Sequence, residues 1–375
     1  MNILFLSNWY PTADSPINGI YVREHARAIA SAGNKVIVLA VDITSKVSEL
    51  TQPVTVIPMD EFGVETHIIH IRSRFWKWIY SIPGFSYRYY RNYFNSALVS
   101  KFDPDIIHSN VLYPCAIAGH RLAKELKKKH VITEHWSGVE NFMKKNPFRR
   151  SGMKAYQQAF AITCVSDFLK EKISKYVPDT RKIMIVPNII DNTIFTYREK
   201  KSTDAIVFTA IASWNRYKLP HLFTEALERI SKVSPKKIIL NFIGEGEFLE
   251  NIKRKKWSFT VYYQGNLGRP QVATMLHDSD FFLHASQIET FSIVTAEALL
   301  TGTPVIASRV GAIPELVNEK NGVITGNTIE EWQNAIANAF SSRFNNKLIS
   351  EEMGSRFTSH TIGNKFNEVF ELKDK

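Results

Sequence analysis

Two carboxylates, Glu289 and Glu297, are separated by seven residues in S-Q-I-E-T-F-S-I-V-T-A-E-A-L-L-T-G-T-P, residues 286 to 304. FFLHA, residues 281 to 285, reads as a buried strand, and Thr290 or Ser292 is the expected cap of the helix that follows. Ile293, Ala296, Glu297 and Leu300 keep helical spacing until Gly302-Thr303-Pro304 ends it. Glu289 therefore falls in the loop before the helix, and backbone N–H groups around Phe291, Ser292 and Ile293 face out of the helix start. The macrodipole there favours an anion such as a diphosphate. Glu297, about one and a half turns further in, can accept paired hydrogen bonds from vicinal hydroxyls such as those of a ribose. Glu289 can reach hydroxyls on the other side of the phosphates. Lys218, in I-A-S-W-N-R-Y-K-L-P, adds a compact positive charge that could neutralise a departing diphosphate. Such a constellation fits a sugar nucleotide. Isolated acids of this kind are otherwise solvated helix-face residues, and Lys218 alone would be a surface lysine.

These side chains need a sheet to hold them. Apolar, β-branched runs at 3–6, 36–41, 66–71, 105–108, 130–134 and 160–165 alternate with helical or loop stretches, including a helix over about 20–32 closed by Gly33. A polar stretch, D-N-T-I-F-T-Y-R-E-K-K-S-T-D (191–204), separates them from a second series at 205–211, 238–243, 259–263, 280–284 and 304–307. This predicts two parallel-sheet α/β domains, 1–197 and 198–357, with a linker near 195–203. Open α/β sheets take ligands beyond the carboxyl ends of their strands, which singles out the loops after strands one, five and six and those of the second domain. Gly19, in S-P-I-N-G-I, opens the first helix and could let backbone approach a phosphate, unless it is a simple turn glycine. Gly244 and Gly246 follow a strand as G-E-G, a common turn pattern with no third glycine.

Composition sets the class. The chain has 375 residues, 44% of them hydrophobic, enough for two full cores. Cys115 and Cys164 lie in apolar stretches and read as buried thiols of a reducing compartment. MNILFLSNWYP has no basic region and too short an apolar core for a signal peptide, and no run reaches the length of a transmembrane helix, so a cytoplasmic location is expected. The net charge of +11 is uneven: residues 1–200 hold 27 Lys and Arg against 17 Asp and Glu, whereas 201–375 hold 20 against 19. R-S-R-F-W-K-W-I-Y-S-I-P-G-F-S-Y-R-Y-Y-R-N-Y-F (72–94) interleaves cations with aromatics, and K-K-N-P-F-R-R (144–150) adds a second basic cluster. Both suit a peripheral position on an anionic membrane surface, the bland reading being inward-packed aromatics with solvated cations. No recognition motif supports nucleic acid as a partner.

The stretch S-x-x-E-T-F-x-x-x-x-x-E-A-x-x-x-G-x-P-V-I-A resembles the signature of glycosyltransferase family 4, the group 1 retaining sugar transferases of GT-B fold. S-N-W-Y-P-T…N-G-I-Y-V-R-E-H-A-R-A-I-A (7–30), P-D-I-I-H-S-N (104–110), V-I-T-E-H-W-S (131–137), V-P-N-I-I-D (186–191), F-I-G-E-G-E (242–247) and Y-Q-G-N-L (263–267) are similar in type and order to further family landmarks. The resemblance implies two Rossmann-like domains facing each other across a cleft, the first binding acceptor and completed by a C-terminal helix (358–375), the second binding donor. It implies retaining transfer of a sugar from a nucleoside diphosphate to a hydroxyl of a saccharide or lipid-linked saccharide, as in surface polysaccharide assembly, with no metal or other cofactor. It places Gly19 and the helix-start residues Thr290, Phe291, Ser292 and Ile293 near phosphate, Gly244 near the nucleobase, Glu297 on ribose, and Glu289 and His135 on the sugar. Relatives carry G-R before the lysine where Ala212-Ser213-Trp214 stands; Ser213 and Arg216 are the candidates to compensate. Asn110 stands where relatives often have a second histidine after His108, so that pair is assigned no metal. Asp103-Pro104-Asp105 and Asp278-Ser279-Asp280 stand at the amino ends of strands and read as turns rather than metal ligands. A nucleotide-sugar epimerase, a phosphorylase or a basic binding protein are the alternatives.

Overall fold

The structure, a computed structural model, describes residues 1–43, 54–71, 74–200 and 203–372. Arg72 and Ser73 of the basic-aromatic stretch, residues 201 and 202 of the expected linker and the last three residues lie outside these. The chain divides into two compact units, Met1–Ile189 with Ser359–Lys375, and Ile190–Thr358. The division falls before the 197/198 boundary expected from composition. The residues after it are already tied into the second unit: Ile190 N–H donates to the Phe357 carbonyl (3.0 Å), and Asp191 pairs with Arg269 (3.4 Å).

The first unit holds strands β1 (Asn2–Ser7), β2 (Lys35–Asp42), β3 (Val54–Ile57), β4 (Val64–His70), β5 (Ile106–Asn110), β6 (Lys129–Glu134), β7 (Ala161–Cys164) and β8 (Ile183–Ile185). They pair in the order β3-β4-β2-β1-β5-β6-β7-β8, parallel except for β3, which runs antiparallel to β4. Period-two alternation decides which face each side chain of β1 joins. Ile3 and Phe5 pack with Ile29 and Phe366 on one face, whereas Leu4 and Leu6 pack with Tyr90 and Leu122 on the other. The helix Ile20–Ser31 begins at Gly19, whose φ is 70°, and the C-terminal helix Ser359–Phe370 lies against it.

The second unit holds β9 (Ala205–Ile211), β10 (Lys237–Ile243), β11 (Thr260–Tyr263), β12 (Phe281–His284), β13 (Val305–Ser308) and β14 (Gly322–Thr325), ordered β11-β10-β9-β12-β13-β14. Every pairing is parallel. Phe208, Phe223, Phe242 and Trp332, each at most 2% exposed, anchor its core. Strand order reverses between β9 and β12, and between β1 and β5. The crevices beyond the carboxyl ends of those pairs are where such sheets take ligands. No helix among the described residues is long and apolar enough to cross a membrane.

Candidate active site

The reversal point of the second sheet gathers the strongest group. Lys218 follows β9, His284 ends β12 and Glu289 lies in the loop after β12. Lys218 Nζ donates to Glu289 Oε1, and His284 Nε2 lies 2.8 Å from the same oxygen. A carboxylate only accepts, so both nitrogens donate to it. Burial alone would raise the Glu289 carboxyl, but His284 and Lys218 outweigh it and hold it down at about 2. Burial, together with the nearby Lys218 charge, lowers His284 despite Glu289. The result is a neutral imidazole donor, a lysine and an ionised glutamate at one point.

Backbone contacts fix this arrangement. Lys218 and Ser286 form a short antiparallel bridge, flanked by Leu219 N–H to the Ala285 carbonyl (3.1 Å) and Gln287 N–H to the Tyr217 carbonyl (2.9 Å). The Glu289 carbonyl accepts from Ala312 N–H (3.0 Å). Gly311, with φ of 53°, makes that approach possible, because a Cβ there would lie 1.8 Å from the Glu289 carbonyl oxygen.

The helix Ile293–Leu300 starts where expected, but its cap differs. Ser292 is the N-cap residue in left-handed backbone, φ 72°, and its side chain caps no amide. Its hydroxyl instead bonds Thr295 Oγ1 (2.8 Å) and approaches His284 Nε2 (3.4 Å). The first-turn amides of the helix are thus left without a side-chain cap. Thr290 is half-buried. Phe291 is a core side chain, 4% exposed and edge-on to Phe357, so only its backbone can serve a ligand. Glu297 is buried, with its Oε1 3.4 Å from Arg269. Burial pushes it up to about 7 against the pull of Arg269, and Asp191 adds to the rise.

Arg216 and Ser213 do not join the group. Arg216 donates to the Tyr217 hydroxyl (2.7 Å) and stacks over that ring, exposed like Ser213. Trp214 fills the space behind them, with Nε1 donating to the Ile243 carbonyl (3.1 Å). Gly244 and Gly246 give that loop its room: a Cβ at Gly244 would lie 2.0 Å from the Ala212 carbonyl oxygen, and one at Gly246 2.4 Å from the Trp214 oxygen.

In the first unit His135 follows β6 and is 6% exposed, its ring tilted against Tyr21 (4.8 Å) and His25 (5.3 Å). Neither ring nitrogen makes a hydrogen bond of normal geometry among the described residues. Burial, then His25 and His108, lower it well below the ordinary histidine value, with Asn188 opposing. Glu134, which sequence reasoning passed over, holds that loop by accepting from Leu112, His135 and Trp136 N–H and from the Tyr156 hydroxyl, all at 2.8 to 3.0 Å. At Gly19 the space for a Cβ is taken by the Trp9 backbone, 2.3 Å away, which accounts for the glycine without a ligand. His108 donates to or accepts from Thr133 Oγ1 (2.6 Å).

The two D-x-D triplets pin strand starts. Asp105 accepts from Asn2 N–H (2.7 Å), Asp103 pairs with Lys128 (2.8 Å), and Asp280 accepts from Val207 N–H (2.8 Å). No group of three or more metal-ligating side chains occurs among the described residues. Burial pushes both free thiols, Cys115 and Cys164, up to about 12.

Comparison with known proteins adds the family. The model of Glycosyltransferase Family 4 matches residues 19–193, and that of Glycosyl transferases group 1 matches 193–355. Over 229 residues the chain is 28% identical to N-acetyl-alpha-D-glucosaminyl L-malate synthase of Bacillus anthracis, covering 57% of this chain and 58% of that protein. Over 269 residues it is 23% identical to alpha-monoglucosyldiacylglycerol synthase of Streptococcus pneumoniae, covering 64% and 61%. The chain thus spans about three fifths of the length of these curated relatives. The crystal structure of Anabaena HepE in complex with UDP superposes with a TM-score of 0.71 at 16% identity, covering 98% of this chain and 99% of that one. With two parallel-sheet units, and family models that together run from residue 19 to residue 355, the chain belongs to the GT-B group 1 glycosyltransferases.

Proposed function

We propose that the chain transfers a sugar, with retention of anomeric configuration, from a nucleoside diphosphate to a hydroxyl of a saccharide or lipid-linked saccharide. The observation that carries this reading is the convergence of Lys218, Glu289 and His284 beside the uncapped first turn of the Ile293–Leu300 helix. The UDP held by Anabaena HepE supports a nucleotide donor. Lys218 and the first-turn amides present positive potential to the diphosphate and stabilise it as it leaves. Glu289, kept ionised by His284 and Lys218, accepts from sugar hydroxyls, and Glu297 accepts from ribose. Attack on the face of departure lets the leaving phosphate oxygen take the acceptor proton, so no side chain serves as nucleophile. Lys218 and the helix start supply the positive field, and the reading needs no metal or other cofactor. The acceptor belongs to surface polysaccharide assembly at the cytoplasmic face of an anionic membrane, in keeping with the basic excess of residues 1–200 and with the lipid-glycosylating name of the Streptococcus relative.

Loss of one group that stabilises a transition state costs about a hundredfold or more in turnover. Donor-sugar turnover by Glu289→Ala and by Lys218→Ala, measured over a panel of UDP-, GDP- and ADP-sugars, should fall by at least that factor. Near-normal turnover in either variant would remove the assigned role.

A further inference from the structure

Glu297, read above as the ribose ligand, is held from outside its own helix. Arg269, the first residue of the helix Arg269–His277, spreads its guanidinium between two acids. Nη2 lies 3.4 Å from Glu297 Oε1, and Nη1 lies 3.4 Å from Asp191 Oδ2. Its Cζ stands over the Phe195 ring, 5.3 Å from the centroid. Asp191 is aimed by its own turn: Thr193 N–H (3.0 Å) and the Thr193 hydroxyl (2.6 Å) both donate to Oδ1, which leaves Oδ2 for Arg269. A guanidinium is a planar fork that keeps its charge, so resting one prong on Asp191 fixes the direction of the other. Among the described residues Arg269 is the sole hydrogen-bond donor to the Glu297 carboxylate, and it meets only Oε1.

Local structure does not call for an arginine at this position. A cation at the first residue of a helix faces the positive end of the macrodipole. The helix start is already closed by Gln271, whose Oε1 accepts from Gly268 N–H (2.8 Å). The far end of the same helix is tied to the same segment separately, by His277 Nε2 donating to the Thr196 carbonyl. What Arg269 adds is one positive charge shared by two carboxylates, of which Glu297 is buried in the candidate site. The other titratable groups on elements packed against the Ile293–Leu300 helix are His277, His284, Glu315, Lys347, Glu351 and Glu352. His277 is taken by Thr196 and His284 by Glu289. Lys347 and Glu351 are exposed and 3.9 Å from each other, and Glu352 is exposed. Arg269 and Asp191 are the charges that act on Glu297, the first favouring its anion and the second opposing it.

We infer that Arg269 is a positioning residue of the donor site: braced on Asp191, it orients the Glu297 carboxylate and balances its charge, leaving Oε2 open to the ribose hydroxyls. The bearing on the donor rests on the ribose contact proposed above, whereas the bridge itself is tested without ligand. Carbon NMR of the full chain carrying carboxyl-labelled glutamate follows Glu297 through its ionisation, its resonance being the one that Glu297→Gln removes. Arg269→Met keeps an aliphatic stem over Phe195 and loses the charge. It should move the Glu297 midpoint upward by about one pH unit or more, the scale of losing an opposite charge at this distance. Asp191→Asn removes the opposing anion and should move the midpoint downward, and Arg269→Lys, which keeps the charge, should return it toward wild type. A merely structural brace would move the Met and Asn variants the same way. Asp191→Asn changes no volume and carries the test if the melting curve shows that Arg269→Met does not fold. No movement in either folded variant, or movement of both in one direction, overturns the inference. Calorimetric titration with UDP, GDP and ADP over the same pH range reads the ribose separately. The pH at which the tightest-bound nucleotide gains affinity should follow the carboxyl midpoint from variant to variant. Midpoints that move as expected while nucleotide affinity does not follow uphold the bridge and overturn the ribose contact.

Discussion

Glu289 and Glu297 occupy one motif, yet their surroundings drive them in opposite directions. Glu289 meets two donors and sits at about 2; Glu297 meets one distant guanidinium and sits near 7. For Glu297 the folded state holds the proton more tightly than the unfolded chain. That contribution to stability is complete below about pH 4.5 and is lost as pH rises through about 7. For Glu289 the sign reverses: its contribution is present above about pH 4.5 and is lost as pH falls through about 2. If Glu297 accepts from ribose, nucleoside diphosphate affinity should strengthen as the carboxyl ionises between about pH 6 and about pH 8. The diphosphate titrates nearby, so the readout is the difference between wild type and Glu297→Gln in calorimetric titrations. The variant should lack one ionisation step, and identical profiles would dismiss the ribose contact. The two glutamates and Lys218 were legible because each stands in a motif. His284, Gly311 and Glu134 were not, for physical reasons. His284 looks like the end of an apolar strand until folding puts it 2.8 Å from Glu289. Gly311 matters only through contact with a backbone in another loop. Glu134 is hidden in a strand that reads as apolar, and its four donors come from residues 112, 135, 136 and 156.

At the level of elements, the apolar runs marked every strand except β3, β8 and β14. All three are edge strands of four, three and four residues, and β3 has half-exposed or exposed side chains throughout, so none shows the apolar run of a buried strand. The basic-aromatic stretch was legible as unusual, but its composition could not say which rings face inward. It forms the helices Arg74–Tyr80 and Pro83–Tyr93, neither of which contains Asp or Glu. Tyr80 and Tyr90 are fully buried, their hydroxyls 3.0 Å apart, and Tyr90 also donates to the Ser7 carbonyl. Phe75, Trp76 and Trp78 are 61%, 48% and 66% exposed. The inward rings support the bland reading, whereas the outward three keep membrane contact open on one short helix. Rings at the headgroup level and cations near acidic lipid act together. Sedimentation with vesicles containing about a third phosphatidylglycerol should therefore capture the wild type. Phe75→Ser combined with Trp78→Ser should reduce capture several-fold with the melting temperature kept, and unchanged capture would count against the membrane role. Tyr90→Ala should instead lower the melting temperature, since it empties a core position.

Over the whole molecule, the order of the chain and the order of the cores disagree. The first unit is assembled from residues at both ends, because Ser359–Lys375 returns to it after the second unit is complete. This makes the last helix part of a unit whose preceding residue, Ile189, lies 170 positions before Ser359. Ile362, Phe366, Val369 and Phe370 are at most 2% exposed and share a cluster with Ile3, Phe5, Val22 and Ile29. Gly363 allows the contact, since a Cβ there would stand 2.5 Å from the Ala28 carbonyl oxygen. Phe366 also covers the rings of His25 and His108, the two neighbours that depress His135. Each buried side chain of this size contributes about 1.5 to 3 kcal/mol. Four of them rival the whole stability of an ordinary domain, about 5 to 15 kcal/mol. Ending the chain at Thr358 should therefore abolish the cooperative melting of the first unit while the second, whose core is built from Phe208, Phe223, Phe242 and Trp332, still melts as a cooperative body. Calorimetry of the truncated chain checks this against the isolated segment 190–358. A truncated protein that melts with the full enthalpy of the intact chain would mean that the first unit's core closes without its final helix.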